Sequence, residues 1–383
     1  MNERTENIRY SALLGVHTMM LCPGLNFVAQ YLSDAQISAR SIGILVAASC
    51  LIAVIMQQFV GRLVDRNILD GRKLLLFLAT IMTLTGIYSA YLGAGNLKAI
   101  TFSSLLCIAL IMLPVLNSFS FYYKNKGISV NYGVARGCGS MSFCVCSIIL
   151  GFLTANIGTI VVPLSYGLLG AIFFAIMMTM PTLKGNVQPN KPQETSTLQL
   201  GKFPAFRLML IGLSLVMIFH NMLMTYFIYA IELVGGNNSN LGIALGIAAL
   251  LEIPVLFAYT RVKGQTPSKI FLTASGIAFF VKAALFVFAQ SVTMIYLIQT
   301  LQIVSYGLMA AARVYYVDET VGKKYEATGQ AYMAATETIG IVLGSIVGGI
   351  LLHSFGIKAL LWCGAIVSFV GMMCMISSCR RKI

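Results

Sequence analysis

A chain of 383 residues with 58% hydrophobic and only 10% charged residues does not have the composition of a soluble globular protein. Apolar runs of roughly 18 residues or more recur from end to end, the mark of helices that cross a bilayer. A formal net charge of +14 would ordinarily point towards nucleic acid, but the basic residues collect in loops on one side of the expected membrane, which accounts for them without that partner.

Met1 to Arg9 is polar and the first apolar run is too long for the core of a cleavable signal, so none is expected. Twelve spans are expected, at 10–32, 42–64, 73–93, 98–123, 132–156, 159–181, 204–233, 241–262, 268–289, 292–316, 327–353 and 356–378. Residues 182–203, rich in Lys, Gln, Pro and Thr, form the only long hydrophilic stretch. They read as a cytoplasmic linker between an N-terminal six-helix half, 1–181, and a C-terminal six-helix half, 204–383. The expected fold class is all-α, integral to the membrane.

Twenty of the 26 Lys and Arg residues fall in the termini, the linker and the even-to-odd loops, and only Arg40, Lys98 and Lys358 lie on the other side. By the positive-inside rule both termini are cytoplasmic, in the plasma membrane. The nine cysteines lie within or at the ends of apolar runs, without metal-ligand spacing, so no metal is expected. The phosphate-cradling pattern Gly-x4-Gly-Lys-Ser/Thr is absent, as is any nucleophile triad, so neither ATP, another cofactor nor an enzymatic activity is expected. The halves repeat weakly: Ser41-Ile42-Gly43-Ile44 echoes Asn240-Leu241-Gly242-Ile243, and Arg62 echoes Arg261 at the same offset.

Between spans two and three stands Gly61-Arg62-Leu63-Val64-Asp65-Arg66, followed by Gly71-Arg72-Lys73. It resembles the signature loop of the major facilitator superfamily, with a few extra residues between its two parts. The resemblance implies two six-helix halves that rock around a central site. Gly61, Asp65, Arg66, Gly71, Arg72 and Lys73 would form the cytoplasmic gate, with Asp65 pairing to neighbouring arginines. Read on residue type alone, the cluster is a basic anchor at the membrane surface.

Span four carries Asn117, Ser118 and Ser120, a neutral polar set. Span five opens on Tyr132-Gly133-Val134-Ala135-Arg136, then Gly139-Ser140. A charge at this depth costs at least about 2.5–3.5 kcal/mol on insertion scales, so Arg136 needs a partner or a task. These residues resemble the oligosaccharide and nucleoside proton-symporter branch, the lactose-permease type. The resemblance implies that Arg136 binds the solute and that Phe143 supplies the aromatic face seven residues on, where the branch has tryptophan. The branch has a glutamate where this chain has Ser118, which leaves Glu252 of span eight as the acid best suited to face Arg136.

Leu251-Glu252-Ile253-Pro254 resembles the branch's glutamate segment, whose carboxylate accepts sugar hydroxyls. Lys282 falls at the branch's coupling arginine, and Gln302 and Ser305 replace its relay histidine and acid. Neither replacement titrates near neutral pH. Alignment by counting sets His220 in span seven opposite Glu337 in span eleven, a pair in which the histidine could titrate. The proton site is therefore either Glu337 with His220, or Glu252 itself; a lone hydrogen-bonded histidine is the other reading of His220. His17, His353 and Arg313 carry no assignment, Arg313 being close enough to the cytoplasm to snorkel.

Arg136, Asn117 and Phe143 are thus expected to hold the solute from the first half, and Glu252, Lys282 and Gln302 from the second. The expected function is proton-coupled symport of a sugar, oligosaccharide or nucleoside by a monomer. An uncoupled facilitator is the first alternative. A drug or metabolite exporter is the second, and the absence of a buried acid from the first half counts against it. Gly340, Gly344 and Gly348 give span eleven a face for close helix packing.

Overall fold

A computed structural model describes residues 3–66, 68–125, 128, 132–181 and 200–381. The chain forms two compact units, Met1–Pro192 and Gln193–Ile383. In the first, α1 (Glu3–Asn26), α2 (Val28–Asp34), α3 (Ala39–Asp65), α4 (Gly71–Tyr91), α5 (Asn96–Asn125), α6 (Tyr132–Ile157) and α7 (Val161–Met178) follow one another. The second holds α8 (Pro204–Thr225), α9 (Phe227–Leu233), α10 (Asn238–Lys263), α11 (Ser268–Val287), α12 (Val292–Gln299), α13 (Tyr306–Val321) and α14 (Glu326–Arg380). Most of the linker expected at 182–203 lies outside the described residues; Leu200–Lys202 make a 3-10 turn and Pro204 opens α8, where a missing N–H costs nothing.

Among the described residues ten helices are long and apolar enough to cross a bilayer, and eleven spans result when α1 and α2, bent by 51°, count as one. At 1.5 Å per residue the 55 residues of α14 would run about 80 Å, far beyond a hydrocarbon core of about 30 Å. Gly356, at φ 77°, breaks it where a side chain would be strained, and the two pieces make twelve spans, as the hydropathy pattern requires. Among the described residues no strand occurs, because lipid leaves backbone groups no partner outside their own helix.

The two units repeat one local design. Each begins with a helix that breaks at an aromatic residue, Phe27 or Tyr226, before a seven-residue continuation, α2 or α9. Each next helix is capped by a polar side chain: Ser38 accepts from the Ser41 amide, and Asn237 from those of Ser239 and Asn240. The same distance along the chain separates Val28 from Phe227, Ala39 from Asn238 and Arg62 from Arg261.

Small residues set the closest contacts. A Cβ on Gly344 would lie 2.6 Å from the Ile218 carbonyl oxygen of α8, and one on Gly340 2.6 Å from the Met217 side chain. The glycine face of span eleven therefore holds α14 against α8, backbone to backbone. In the first unit a Cβ on Gly86 of α4 would meet the Gly167 nitrogen of α7 at 2.7 Å.

Candidate functional site

In the second unit two groups of charged and polar side chains are joined by hydrogen bonds within the spans. Lys282 of α11 is 1% exposed, and its ammonium donates to Gln302 Oε1 at 2.5 Å. Gln302 Nε2 donates in turn to Glu252 Oε1 of α10 at 2.9 Å. The amide thus joins a buried cation to a carboxylate without direct ion pairing, and each charge keeps a hydrogen-bonded neighbour in a place with little water. Span ten makes this possible by breaking: α12 ends at Gln299, Thr300–Ile303 wind as a 3-10 turn carrying Gln302, and α13 restarts at Tyr306. The Ser305 carbonyl, which takes the first backbone bond of α13 from the Met309 amide at 3.2 Å, also accepts from Ser275 Oγ at 2.6 Å. A Cβ on Gly307 would be tight only against the Gln302 carbonyl oxygen, at 3.3 Å, and would stand in ordinary contact with the Cα of Glu252, at 3.6 Å, so α10 passes directly beside this turn.

The second group lies further along α13. Glu337 Oε2 accepts from Arg313 Nη1 at 2.8 Å, and its Oε1 accepts from the Tyr306 hydroxyl at 3.0 Å. His220 of α8 stacks on the Tyr306 ring at 4.9 Å and meets Phe279 edge-on at 5.9 Å. His220 and Glu337 thus share one cluster through Tyr306, while Arg313 and Tyr306 take the two carboxylate oxygens; among the described residues no direct hydrogen bond or ion pair joins the histidine to them. Arg313 is not a snorkelling cation but the partner of Glu337. Its signal was in the sequence: two opposite charges in neighbouring spans, in a chain with few buried charges. Tyr306, four residues beyond Gln302, carried no signal of its own.

The first unit differs. Arg136 is exposed on α6, and no carboxylate among the described residues holds it. Phe143 follows two turns later and so shares its face, half-buried. Asn117 lies on α5 with its amide oxygen buried and accepting no hydrogen bond, whereas Ser118 and Ser120 donate to carbonyls of their own helix. Arg136, Asn117 and Phe143 do not bond to one another. A cavity of about 630 Å³ between α1 and α6, lined by Arg4, Asn7, Ser11, Cys138 and Ser142, includes none of them.

One expectation about this unit is overturned. Glu6 at the start of α1 is 3% exposed, its oxygens accepting from Arg9 at 2.9 Å and from the Tyr123 hydroxyl at 2.6 Å. The first half thus does hold a buried acid, placed before the apolar run where a search of the spans does not look. His17 is buried against the Ala109 carbonyl at 2.8 Å, a packing role.

Of the gate residues, Asp70 caps α4 by accepting from the Arg72 amide at 3.0 Å. Arg72 donates to the carbonyls of Met177 at 3.3 Å and Met178 at 2.5 Å, the negative end of the α7 dipole. Arg66 closes α3 through its backbone, with its side chain exposed like that of Lys73. Gly71 is buried, and Gly61 has open space where a Cβ would stand. The side chain of Asp65 lies outside the described residues.

The profile of the MFS_1 like family matches residues 19–361. The chain belongs to that family. It is an integral membrane transporter of the major facilitator type, not an enzyme, and its partners are a small-molecule solute and the lipid around it. Among relatives of this MFS_1 like protein, a Deinococcus radiodurans protein named as a sugar efflux transporter is 22% identical over 382 residues, covering 96% of both chains. The maltose permease of Geobacillus stearothermophilus is 22% identical over 356 residues, covering 91% of this chain and 88% of its own. The crystal structure of nucleoside transporter NupG covers all of both chains with a TM-score of 0.79 at 17% identity, which fixes the shared fold.

Proposed function

We propose that the protein moves a sugar, oligosaccharide or nucleoside across the plasma membrane by alternating access, in symport with a proton, as a monomer with both termini cytoplasmic. The observation that carries this reading is the Lys282–Gln302–Glu252 chain at the break of span ten. Broken spans mark solute and ion sites in secondary transporters, and these three side chains offer donors and acceptors suited to hydroxyl groups. In the first half Arg136, on which no carboxylate sits among the described residues, Asn117 with an amide oxygen that accepts no hydrogen bond there, and Phe143 offer a cation, an acceptor and an aromatic face suited to the same solute class. The names of the sugar and nucleoside relatives support the same solute class.

Two carboxylates were candidates for the proton. Glu337 is ion-paired to Arg313 and hydrogen-bonded to the Tyr306 hydroxyl, so protonating it means opening that pair. Glu252 meets a neutral amide, and its protonation would leave Lys282 the only charge of its chain. The geometry favours Glu252. Relatives named for efflux and for a permease both exist, and a coupled carrier runs in either direction with its gradients, so the direction follows from the cell's gradients.

Uptake into proteoliposomes tests this, with maltose and uridine as first probes and with or without an imposed proton gradient. Gradient-driven accumulation that becomes mere equilibration in Glu252→Gln supports the symporter. Equilibration by the unaltered protein, whatever the gradient, makes it a facilitator, a reading the non-titrating Gln302 and Ser305 favour. Failure to move any sugar or nucleoside removes the solute class.

A further inference from the structure

Gln299, the last residue of α12, is 0% exposed, and neither its amide oxygen nor its amide nitrogen has a hydrogen-bond partner among the described residues. Buried carboxamides are costly to leave unsatisfied, and the great majority of buried polar side chains find a partner. The neighbouring helices cannot supply one from their side chains. Two bonds fix the register of α10 against this part of span ten: Asn240 Nδ2 donates to the Tyr296 hydroxyl at 2.9 Å, and Gln302 to Glu252. Gln299 lies between those two levels, and every α10 residue from Leu241 to Leu251 is apolar or glycine. On α11, residues 283–287, beyond Lys282, are apolar as well. Gln299 also falls one 3-10 turn before Gln302, where residues three apart eclipse, so it extends the polar row of Gln302 towards Tyr296.

We propose that Gln299 is a further binding residue of this half. Its carboxamide takes an O–H group, that of a solute hydroxyl or of a water held beside the solute, next to the Lys282–Gln302–Glu252 chain. The amide suits such a group because it donates through nitrogen and accepts through oxygen at once. The break in span ten provides the access: the 3-10 turn between Gln299 and Tyr306 is the part of the span least held by its own helical bonds. This inference rests on the transport reading above.

The test is transport of maltose and uridine, and of their singly deoxygenated forms, by full-length protein in proteoliposomes. Gln299→Met, which keeps the volume and removes the amide, is compared with the unaltered protein. Loss of one neutral hydrogen bond corresponds to a rise in KM of roughly three- to tenfold. If the partner is a solute hydroxyl, one deoxy form costs the unaltered protein that same factor and costs Gln299→Met nothing more. If it is a held water, Gln299→Met loses that factor for the parent and for every deoxy form alike. An unchanged KM together with a raised Tm overturns the proposal, because an amide with no ligand is better replaced by an apolar group. Should neither Gln299→Met nor Gln299→Leu fold, the amide is a structural requirement and the proposal falls. If the unaltered protein moves no sugar or nucleoside, the transport reading itself fails and takes this inference with it.

Discussion

The two halves share a local design and differ in how their polar side chains are satisfied. In the second half nearly every buried charge is held by its neighbours: Lys282 and Glu252 through Gln302, and Glu337 by Arg313 and Tyr306. In the first, among the described residues, Arg136 is exposed without a carboxylate and Asn117 keeps an amide oxygen without a donor. Groups that satisfy one another keep their geometry whether or not a solute is present, at the cost that removing one strands the rest. Groups without protein partners cost stability little to remove and are free to spend their bonds on a ligand. Gln299 apart, the candidate residues of the second half are preorganised, whereas Arg136 and Asn117 of the first keep bonds to spend.

The largest effect should come from the most tightly held residue. Lys282→Met leaves Gln302 Oε1 without its donor and Glu252 without a compensating charge, so transport should be lost and stability fall by about 3 kcal/mol. Adding Glu252→Gln should restore the Tm and not the transport, which separates the packing of the chain from its task. Arg136→Ala should lower kcat/KM roughly 10- to 100-fold, the worth of charge-assisted bonds to a solute. The Tm in solute-free detergent should stay unchanged, and an equal fall in the two variants would erase the contrast between the halves. Gly344→Val tests the frame beneath both networks. Its added carbons meet the Ile218 carbonyl, and the cost is about 1–3 kcal/mol in denaturation with transport following stability. Smallest are the matched caps: Ser38→Ala and Asn237→Ala should each cost about 0.5–1 kcal/mol. Asn237 should cost more, because its side chain accepts from two backbone amides of its helix whereas that of Ser38 accepts from one. Equal costs would mean that the second bond adds nothing.

Much of the architecture was legible in one dimension. Hydropathy alone ended one span at 353 and began the next at 356, and the 55-residue helix leaves helical geometry at Gly356. The loop Gly61 to Lys73 pointed to the superfamily, and counting along the spans picked out Glu252, Lys282 and Gln302, which meet in space. Counting gave no hint of Tyr306 and Arg313, which hold Glu337 beside His220. Nor did a search of the spans find Glu6, whose burial depends on Tyr123 coming down from α5.

What the sequence by itself determined is which segments enter lipid and which residue types they carry, since burial in a bilayer is set by the local sum of transfer energies. Which carboxylate meets which cation was decided only by the tertiary structure. That pairing depends on how each helix is rotated about its axis and where its neighbour crosses it, and on a break in span ten that sets Gln302 between α10 and α11. Glu252 and Gln302 stand fifty residues apart and Arg313 and Glu337 twenty-four, and no local periodicity carries the angle between helices.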